Sequence, residues 1–257
     1  MGIVESKGLI LFVKNHKEKD QLVKIFTESA GKQMFYVRGI HRKNNPLKAA
    51  VMPYTKATYI GAFHTEGLSF LNAAKYITPF QQIQQDIVLA AHATYLLNLA
   101  DAAIEDHVYD PQLFHFLEQA MTLIDEKKDA EIITNIFEIQ LMQRFGVRLH
   151  FQDCVVCHKR TGKFDFSSAY SGILCTEHMH LDSHRYHADP RAIHFLRLFH
   201  QIEYTQIQTI TLNPETKQAI RQVLDELYDE YIGIKLKSKT FLDKLATWYP
   251  MDGPSTN

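Results

Sequence analysis

Leu68-Ser-Phe-Leu-Asn-Ala-Ala-Lys-Tyr-Ile77 runs directly into Thr78-Pro-Phe-Gln-Gln-Ile-Gln-Gln-Asp-Ile87, and at this junction the pattern of the chain changes. Everything before Thr78 reads as short strands. Gly8–Lys14 is apolar on alternate positions through Leu9, Leu11 and Val13, and Gln21–Phe26, Gln33–Arg38, Lys56–Ala62 and Leu68–Ile77 follow. Breakers separate them at 15–19, 28–32, 44–46 and 64–67. Strands at this spacing predict a small sheet or barrel. An OB-type barrel, a common platform for single strands, has this size, and an SH3-like barrel fits the same pattern.

From Thr78 onward the period is helical. Thr78-Pro79, Asp110-Pro111, Asp189-Pro190 and Asn213-Pro214 are four cap-plus-proline pairs, each expected to open a helix. Apolar stripes continue behind them: Leu89, Ala93, Leu96, Leu97, Ala100 and Ile104; Phe114, Leu117, Met121 and Ile124; Ile133, Ile136, Phe137 and Leu141, stopping at Gly146; and Ile220, Val223, Leu224, Leu227 and Tyr231, stopping at Gly233. Such stripes pack a core and carry no function by themselves. The expected class is α+β, with a barrel domain over 1–77, a helical domain over 78–250 and a flexible tail over 251–257.

The composition is that of an ordinary globular chain, with 46% hydrophobic and 22% charged residues in 257. The most apolar stretch, Ile87–Ile104, is interrupted by His92, Asn98 and Asp101, so no membrane span is expected. Met1–Lys14 does not read as a signal peptide, and a cytoplasmic location is expected. The net charge of −1 conceals a segregation. Residues 1–80 carry 12 Lys+Arg against 5 Asp+Glu, residues 81–150 carry 4 against 11, and residues 151–257 carry 12 against 13. A basic head on an acidic middle suggests a polyanionic partner for the head, against the plainer reading of lysines that only solubilise a small β domain.

Cys154-Val-Val-Cys157, then seventeen residues, then Cys175-Thr-Glu-His178 uses all three cysteines of the chain. Two such knuckles bring four soft or borderline donors around one tetrahedral ion, the arrangement of structural zinc. Turns at Thr161-Gly162 and Ser171-Gly172 and a short strand at Lys163–Phe166 predict a zinc-ribbon-like hairpin inserted over 151–180. The competing readings are three buried reduced thiols, or a fourth ligand taken from His180, His184 or His187. Three thiolates and an imidazole leave no open coordination position, so the metal is expected to be structural. No phosphate-binding glycine loop and no nucleophile elbow is present, and His64-Thr65-Glu66 does not complete a zinc-deaminase signature with Cys154 and Cys157, because Asp153 stands where that motif has proline. No catalytic residue is expected.

These residues together resemble the RecO family of bacterial recombination mediators, along about residues 1–248. The resemblance rests on Gly8-Leu-Ile-Leu11, Glu18 and Asp20 with Leu22 and Val23, Phe26-Thr27, Gly31-Lys32, Gly39, Arg42-Lys43 and Pro53, in that order ahead of helices and a Cys/His cluster. It implies an N-terminal OB fold, a C-terminal helical domain and, in some members, a zinc finger; His178 stands where some relatives have a fourth cysteine. It implies no turnover chemistry. The implied activity is binding of single- and double-stranded DNA, annealing of strands coated with single-stranded-DNA-binding protein, and loading of RecA together with RecR and, in the fuller pathway, RecF. A protein-interaction scaffold or transcriptional adaptor without annealing activity is the alternative.

Lys14, Lys17, Lys19, Lys24, Lys32, Arg38, Arg42, Lys43 and Lys48 are the candidates to follow a phosphate backbone. Among the aromatics Phe35, Tyr36, Tyr54 and Tyr59, Phe35 alternates in phase with Val37 and belongs to the core, whereas Tyr36 shares the other face with Arg38 and is the better stacking candidate. The resemblance also implies a receptor for the acidic, apolar-tipped tail of the single-strand-binding protein. Arg144 and Arg148, rare cations of the acidic middle at i,i+4 spacing, are its candidates; the competing role is interaction with a helix C-terminus.

Overall fold

The computed structural model describes residues 3–207 and 210–248, so the tail expected over 251–257 lies outside the described residues. Strands β1 (Ile3–His16), β2 (Asp20–Thr27), β3 (Gly31–Val37), β4 (Thr55–Ala62) and β5 (Ser69–Pro79) close into a barrel in the order β1-β2-β3-β5-β4. β1 makes closure possible by pairing with two partners. Its first half runs against β4, with Ile3 opposite Ala62, and its second half against β2, with His16 opposite Asp20. A bulge between Ile10 and Phe12 bends the strand where it passes from one partner to the other. Among the barrel strands, β3 and β5 pair in parallel and the others antiparallel. This is the five-stranded barrel of an OB fold.

The pleat decides which side chains fill the barrel. β4 alternates strictly, with Ala57 and Tyr59 inward and Lys56 and Thr58 outward. Ile10, Val23, Ile25, Phe35, Val37, Tyr59 and Leu71 form the core, and Ile40, Leu47 and Val51 of the β3–β4 connection pack onto it. Phe35 is therefore core, as its phase with Val37 predicts. Tyr59 is core as well: its hydroxyl donates to the Ala50 carbonyl at 2.7 Å, and burial pushes its pKa far up.

Thr78-Pro79 does not open a helix. Both residues extend β5, with Thr78 opposite Lys56 and Pro79 opposite Thr55. Pro79 has no N–H to give to the ladder, and the next residue supplies the bond instead: the Phe80 N–H donates to the Tyr54 carbonyl at 2.9 Å. The helix that follows, α1 (Gln81–Gln85), has no side-chain cap of its own; the Asp125 carboxylate accepts from the Gln82 and Ile83 N–H groups at 2.8 and 3.1 Å. The true local cap is Asp86, which accepts from Val88 and Leu89 and starts α2 (Ile87–Ala103). Asp110, Asp189 and Asn213 do cap α3 (Pro111–Asp125), α5 (Pro190–Phe199) and α6 (Pro214–Tyr231), each with proline at the first turn.

The described residues fall into two compact units, 3–128 with 238–242 and 129–237 with 243–248. In the first, α1, α2 and α3 accompany the barrel. Gly31 ties the β2–β3 turn to the segment between α2 and α3: its φ is +67°, and a Cβ there would lie 2.2 Å from the Val108 carbonyl oxygen. The His107 N–H donates to the Lys32 carbonyl at 2.9 Å beside it. In the second unit, α4 (Ala130–Leu141), α5 and α6 pack with the hairpin of β6 (Phe164–Ser167) and β7 (Gly172–Cys175). Glu138 is fully buried there and is held by the Arg221 guanidinium, while the Tyr228 hydroxyl donates to its backbone carbonyl at 2.9 Å. The last helix, α7 (Lys237–Trp248), contributes residues to both units. Among the described residues, no helix is long and apolar enough to cross a membrane.

Candidate metal centre and nucleic-acid interface

The metal-ligand candidates converge. One donor atom from each of Cys154, Cys157, Cys175 and His178 lies within 4.8 Å of the others. Cys157 Sγ and Cys175 Sγ are 3.7 Å apart, and His178 Nδ1 lies 3.7 Å from Cys154 Sγ and 3.3 Å from Cys175 Sγ. Tetrahedral coordination with Zn–S near 2.3 Å places ligand atoms about 3.7 Å apart, so the donor set has the type and spacing that such an ion requires. This cluster can hold a metal ion. His180, His184 and His187 are exposed, and none of them joins the cluster.

Local backbone geometry builds the cluster. The β6–β7 register sets Phe164 opposite Cys175, so the second knuckle starts at the end of the hairpin. In the first knuckle the Cys154 N–H donates to the Lys159 carbonyl at 3.0 Å and the His158 N–H to the Cys154 carbonyl at 2.8 Å, with His158 at φ 59° closing the turn. The Cys175 N–H points at Cys154 Sγ from 3.4 Å. Burial works against a thiolate at Cys154, yet N–H groups of Cys175, Cys157 and Val156 overcome it and bring that thiol down to about 6. A lowered thiol is ready to ligate at neutral pH.

Arg197 of α5 is a residue that sequence pattern did not single out. Its guanidinium donates to the carbonyls of Phe151, Gln152 and Arg160 at 3.2, 2.9 and 2.9 Å and lies 4.2 Å from the centroid of the Phe164 ring. It braces both sides of the first knuckle. Its place on an amphipathic helix gives no sign of this, because its partners are backbone carbonyls distant in sequence.

The nine candidate phosphate-binding cations of the head divide into two groups. Lys14, Lys17, Lys19, Arg38, Arg42, Lys43 and Lys48 are exposed. The β1–β2 hairpin and the β3–β4 connection meet at one edge: Asp20 accepts from the Gly39 N–H at 2.7 Å, the Tyr36 hydroxyl donates to the same carboxylate, and the Asn45 amide donates to the carbonyls of Arg38 and Gly39. Lys17, Lys19, Arg38, Arg42 and Lys43 thereby gather at one end of the barrel. Lys24 and Lys32 do not join them. Lys32 is only 2% exposed and pairs with Asp101 at 2.9 Å and Asp106 at 3.5 Å; Lys24 pairs with the same carboxylates at 2.8 and 2.9 Å. Burial opposes the Lys24 charge, but these carboxylates outweigh it and raise its pKa. The two lysines are engaged within the protein, which corrects their place among the phosphate-binding candidates. Pattern could not reveal it, because Asp101 and Asp106 are distant in sequence.

Tyr36 points outward and is half-buried, as its phase requires. Tyr54, by contrast, is bound through its hydroxyl to Thr94 at 2.7 Å. Arg144 and Arg148 are not presented on one helical face. Arg144 sits half-buried in a 3-10 turn (Met142–Phe145), and Gly146 at φ 80° ends that turn before the exposed Arg148.

Residues 1–80 match the model for the recombination protein O N terminal domain, and residues 84–240 match that for its C terminal domain. The chain is 60% identical over 248 residues to a DNA repair protein RecO from Enterococcus faecalis, covering 96% of this chain and 95% of that one. It is 47% identical to a DNA repair protein RecO from Streptococcus mutans, covering 96% and 98%, and 46% identical to one from Streptococcus agalactiae, covering 96% and 97%. An OB barrel followed by helices, a Cys/His donor cluster that brackets a hairpin and a match along both family models therefore agree, and the chain belongs to the RecO family of DNA repair proteins.

Proposed function

We propose that this protein is a non-enzymatic recombination mediator of the cytoplasm: it binds single- and double-stranded DNA, anneals complementary strands coated with single-stranded-DNA-binding protein, and acts with RecR, and RecF in the fuller pathway, to load RecA. The observation that carries this reading is the gathering of exposed cations at the β1–β2 hairpin and the β3–β4 connection, beside outward-facing Tyr36. Annealing requires no reacting side chain. Two strands repel each other, and a cationic surface that holds both lowers that repulsion and raises their local concentration.

The roles divide between the domains. The barrel, taken as 1–77, follows the phosphate backbone through Lys14, Lys17, Lys19, Arg38, Arg42, Lys43 and Lys48. The helical domain, taken as 78–250, receives the acidic tail of the single-strand-binding protein, with Arg144 and Arg148 as separate contacts. Cys154, Cys157, Cys175 and His178 of the 151–180 insert would hold one structural zinc ion, which when bound cross-links the two knuckles. Arg197 keeps the first knuckle in register for that ion.

The experiment is annealing of complementary oligonucleotides coated with the single-strand-binding protein. Acceleration that falls steeply with salt and shows little sequence preference is the expected result. Absence of acceleration with retained partner binding would instead identify an interaction scaffold.

A further inference from the structure

The outer face of the barrel carries a row of rings that the charge pattern does not explain. The strand registers align Lys14 with Leu22, Leu22 with Tyr36, and Tyr36 with Phe70 across β1, β2, β3 and β5. Around this row the rings of His16 and Tyr36 meet with centroids 5.9 Å apart, those of Tyr36 and Phe70 at 6.1 Å, and those of Phe70 and His64 at 5.7 Å. All three contacts are edge-on, with interplanar angles of 82°, 74° and 63°. Phe70 is 41% exposed, an unusual position for phenylalanine on a solvent-facing strand. Tyr36 is fixed in the row because its hydroxyl is bound to Asp20, the same carboxylate that accepts from the Gly39 N–H.

We propose that His16, Tyr36, Phe70 and His64 form a stacking ladder for the unpaired bases of single-stranded DNA, with Phe70 as its principal rung. This rests on the reading of the protein as a DNA-binding mediator and names the strand state that this face selects. Bases in a duplex already stack on one another and turn only their edges and phosphates outward, so they have no use for a ring. Unpaired bases offer π-faces that any aromatic can cover without regard to sequence. The cations at the rim favour nucleic acid over an apolar protein partner: Lys14 lies in the same row, and Arg38 follows β3 directly. The boundary of the face is visible as well. One step along the strands the row becomes Phe12, Lys24 and Met34, and there Lys24 is bound by Asp101 and Asp106.

The test compares Phe70→Leu with Arg42→Ala/Lys43→Ala in the full-length protein, titrating a mixed-sequence single strand and the corresponding duplex at several salt concentrations. Loss of one stacked base predicts an affinity for the single strand that is lower by about 5- to 150-fold for Phe70→Leu. Duplex affinity and the salt slope stay at the wild-type values, and an unchanged melting temperature verifies the fold. The double cation variant should lose affinity for both forms and flatten the salt dependence. Photocrosslinking of a single strand containing 5-iodouracil should place adducts on the ladder peptides. Equal losses on both DNA forms for Phe70→Leu, or no loss, would overturn the ladder while leaving the basic edge standing. Failure of the wild-type protein to bind DNA would instead overturn the reading on which the ladder rests.

Discussion

Replacement of Asp101 by Ala tests whether the Lys24/Lys32 cluster belongs to the fold or to the DNA site. Asp101 faces Lys24 at 2.8 Å and Lys32 at 2.9 Å, and Lys32 is almost fully buried. At an effective dielectric of about 20, each such contact is an attraction of about 6 kcal/mol before desolvation. Removal of one partner of a buried pair costs about 3–5 kcal/mol net. Asp106 remains 2.9 Å from Lys24 and 3.5 Å from Lys32, and the backbone carbonyl at position 101 still accepts from Lys32, so the low end applies. Asp101→Ala should therefore destabilise the barrel unit by about 3 kcal/mol. Lys32→Met is milder, about 1–2 kcal/mol, because Asp101 keeps Lys24 and part of its hydration. The double variant should be no worse than Asp101→Ala alone, a coupling of about 1–2 kcal/mol by urea denaturation. In the same preparations Lys32→Met should leave the salt slope of single-strand binding unchanged, whereas loss of a phosphate contact lowers it by about 0.7. Additive stabilities, or a flattened salt slope for Lys32→Met, would refute the assignment.

Gly31→Ala should destabilise by about 2 kcal/mol or more, since alanine must adopt φ +67° with its Cβ against the Val108 carbonyl; denaturation of the variant within about 0.5 kcal/mol of wild type would contradict that contact. Cys154→Ser should remove bound metal and lower stability by about 3 kcal/mol or more, while most salt-dependent DNA binding survives; metal analysis with thermal melts decides, and full metal content in the variant would disprove ligation. Burial, with His150 nearby, holds the His200 imidazole below its ordinary value of 6.5. As pH falls through 6.5 the unfolded chain takes this proton first, so the stability present above 6.5 is lost toward the lower folded-state value. His200→Phe should show a shallower loss of melting temperature between about pH 7.5 and 5.5 than wild type, and identical slopes would argue against the linkage.

The parts of the fold written in local chemistry were legible in the sequence. Alternation placed all five barrel strands, and the phase of Phe35 against Tyr36 separated an inward from an outward ring. Proline with a preceding cap marked α3, α5 and α6, because the cap and the orphan N–H it satisfies are neighbours in the chain. The same signal failed at Thr78-Pro79, where pairing of β5 with β4 outweighed local preference and the first short helix took its cap from Asp125. The convergence of Cys154, Cys157, Cys175 and His178 into a cluster that can hold a metal ion was legible, because metal chemistry constrains residue type and spacing together. Arg197 and the rings at His16, His64 and Phe70 were not, since each derives its role from strand register or from a backbone carbonyl far along the chain.

The same distinction changes the meaning of the charge segregation. A basic head and an acidic middle first suggest a surface left free for a polyanion. Part of that excess is internal: Lys24 and Lys32 pair with Asp101 and Asp106, and Lys56 pairs with Glu118 at 3.3 Å. All of these residues lie in the first compact unit, so acidic α2, α3 and the segment between them complement the barrel they accompany. Of the cations that remain exposed, Lys17 and Lys19 lie on the hairpin after β1 and Arg38, Arg42, Lys43 and Lys48 on the loop after β3, with Lys14 near the end of β1; Lys7 and Lys75 lie elsewhere on the barrel strands. Net charge thus fixes neither the position nor the strength of the proposed DNA site. On the proposed reading the site is made by cations that form no ion pair like those of Lys24 and Lys32, and substitutions such as Lys32→Met and Lys43→Ala, identical in charge change, should separate stability from DNA affinity.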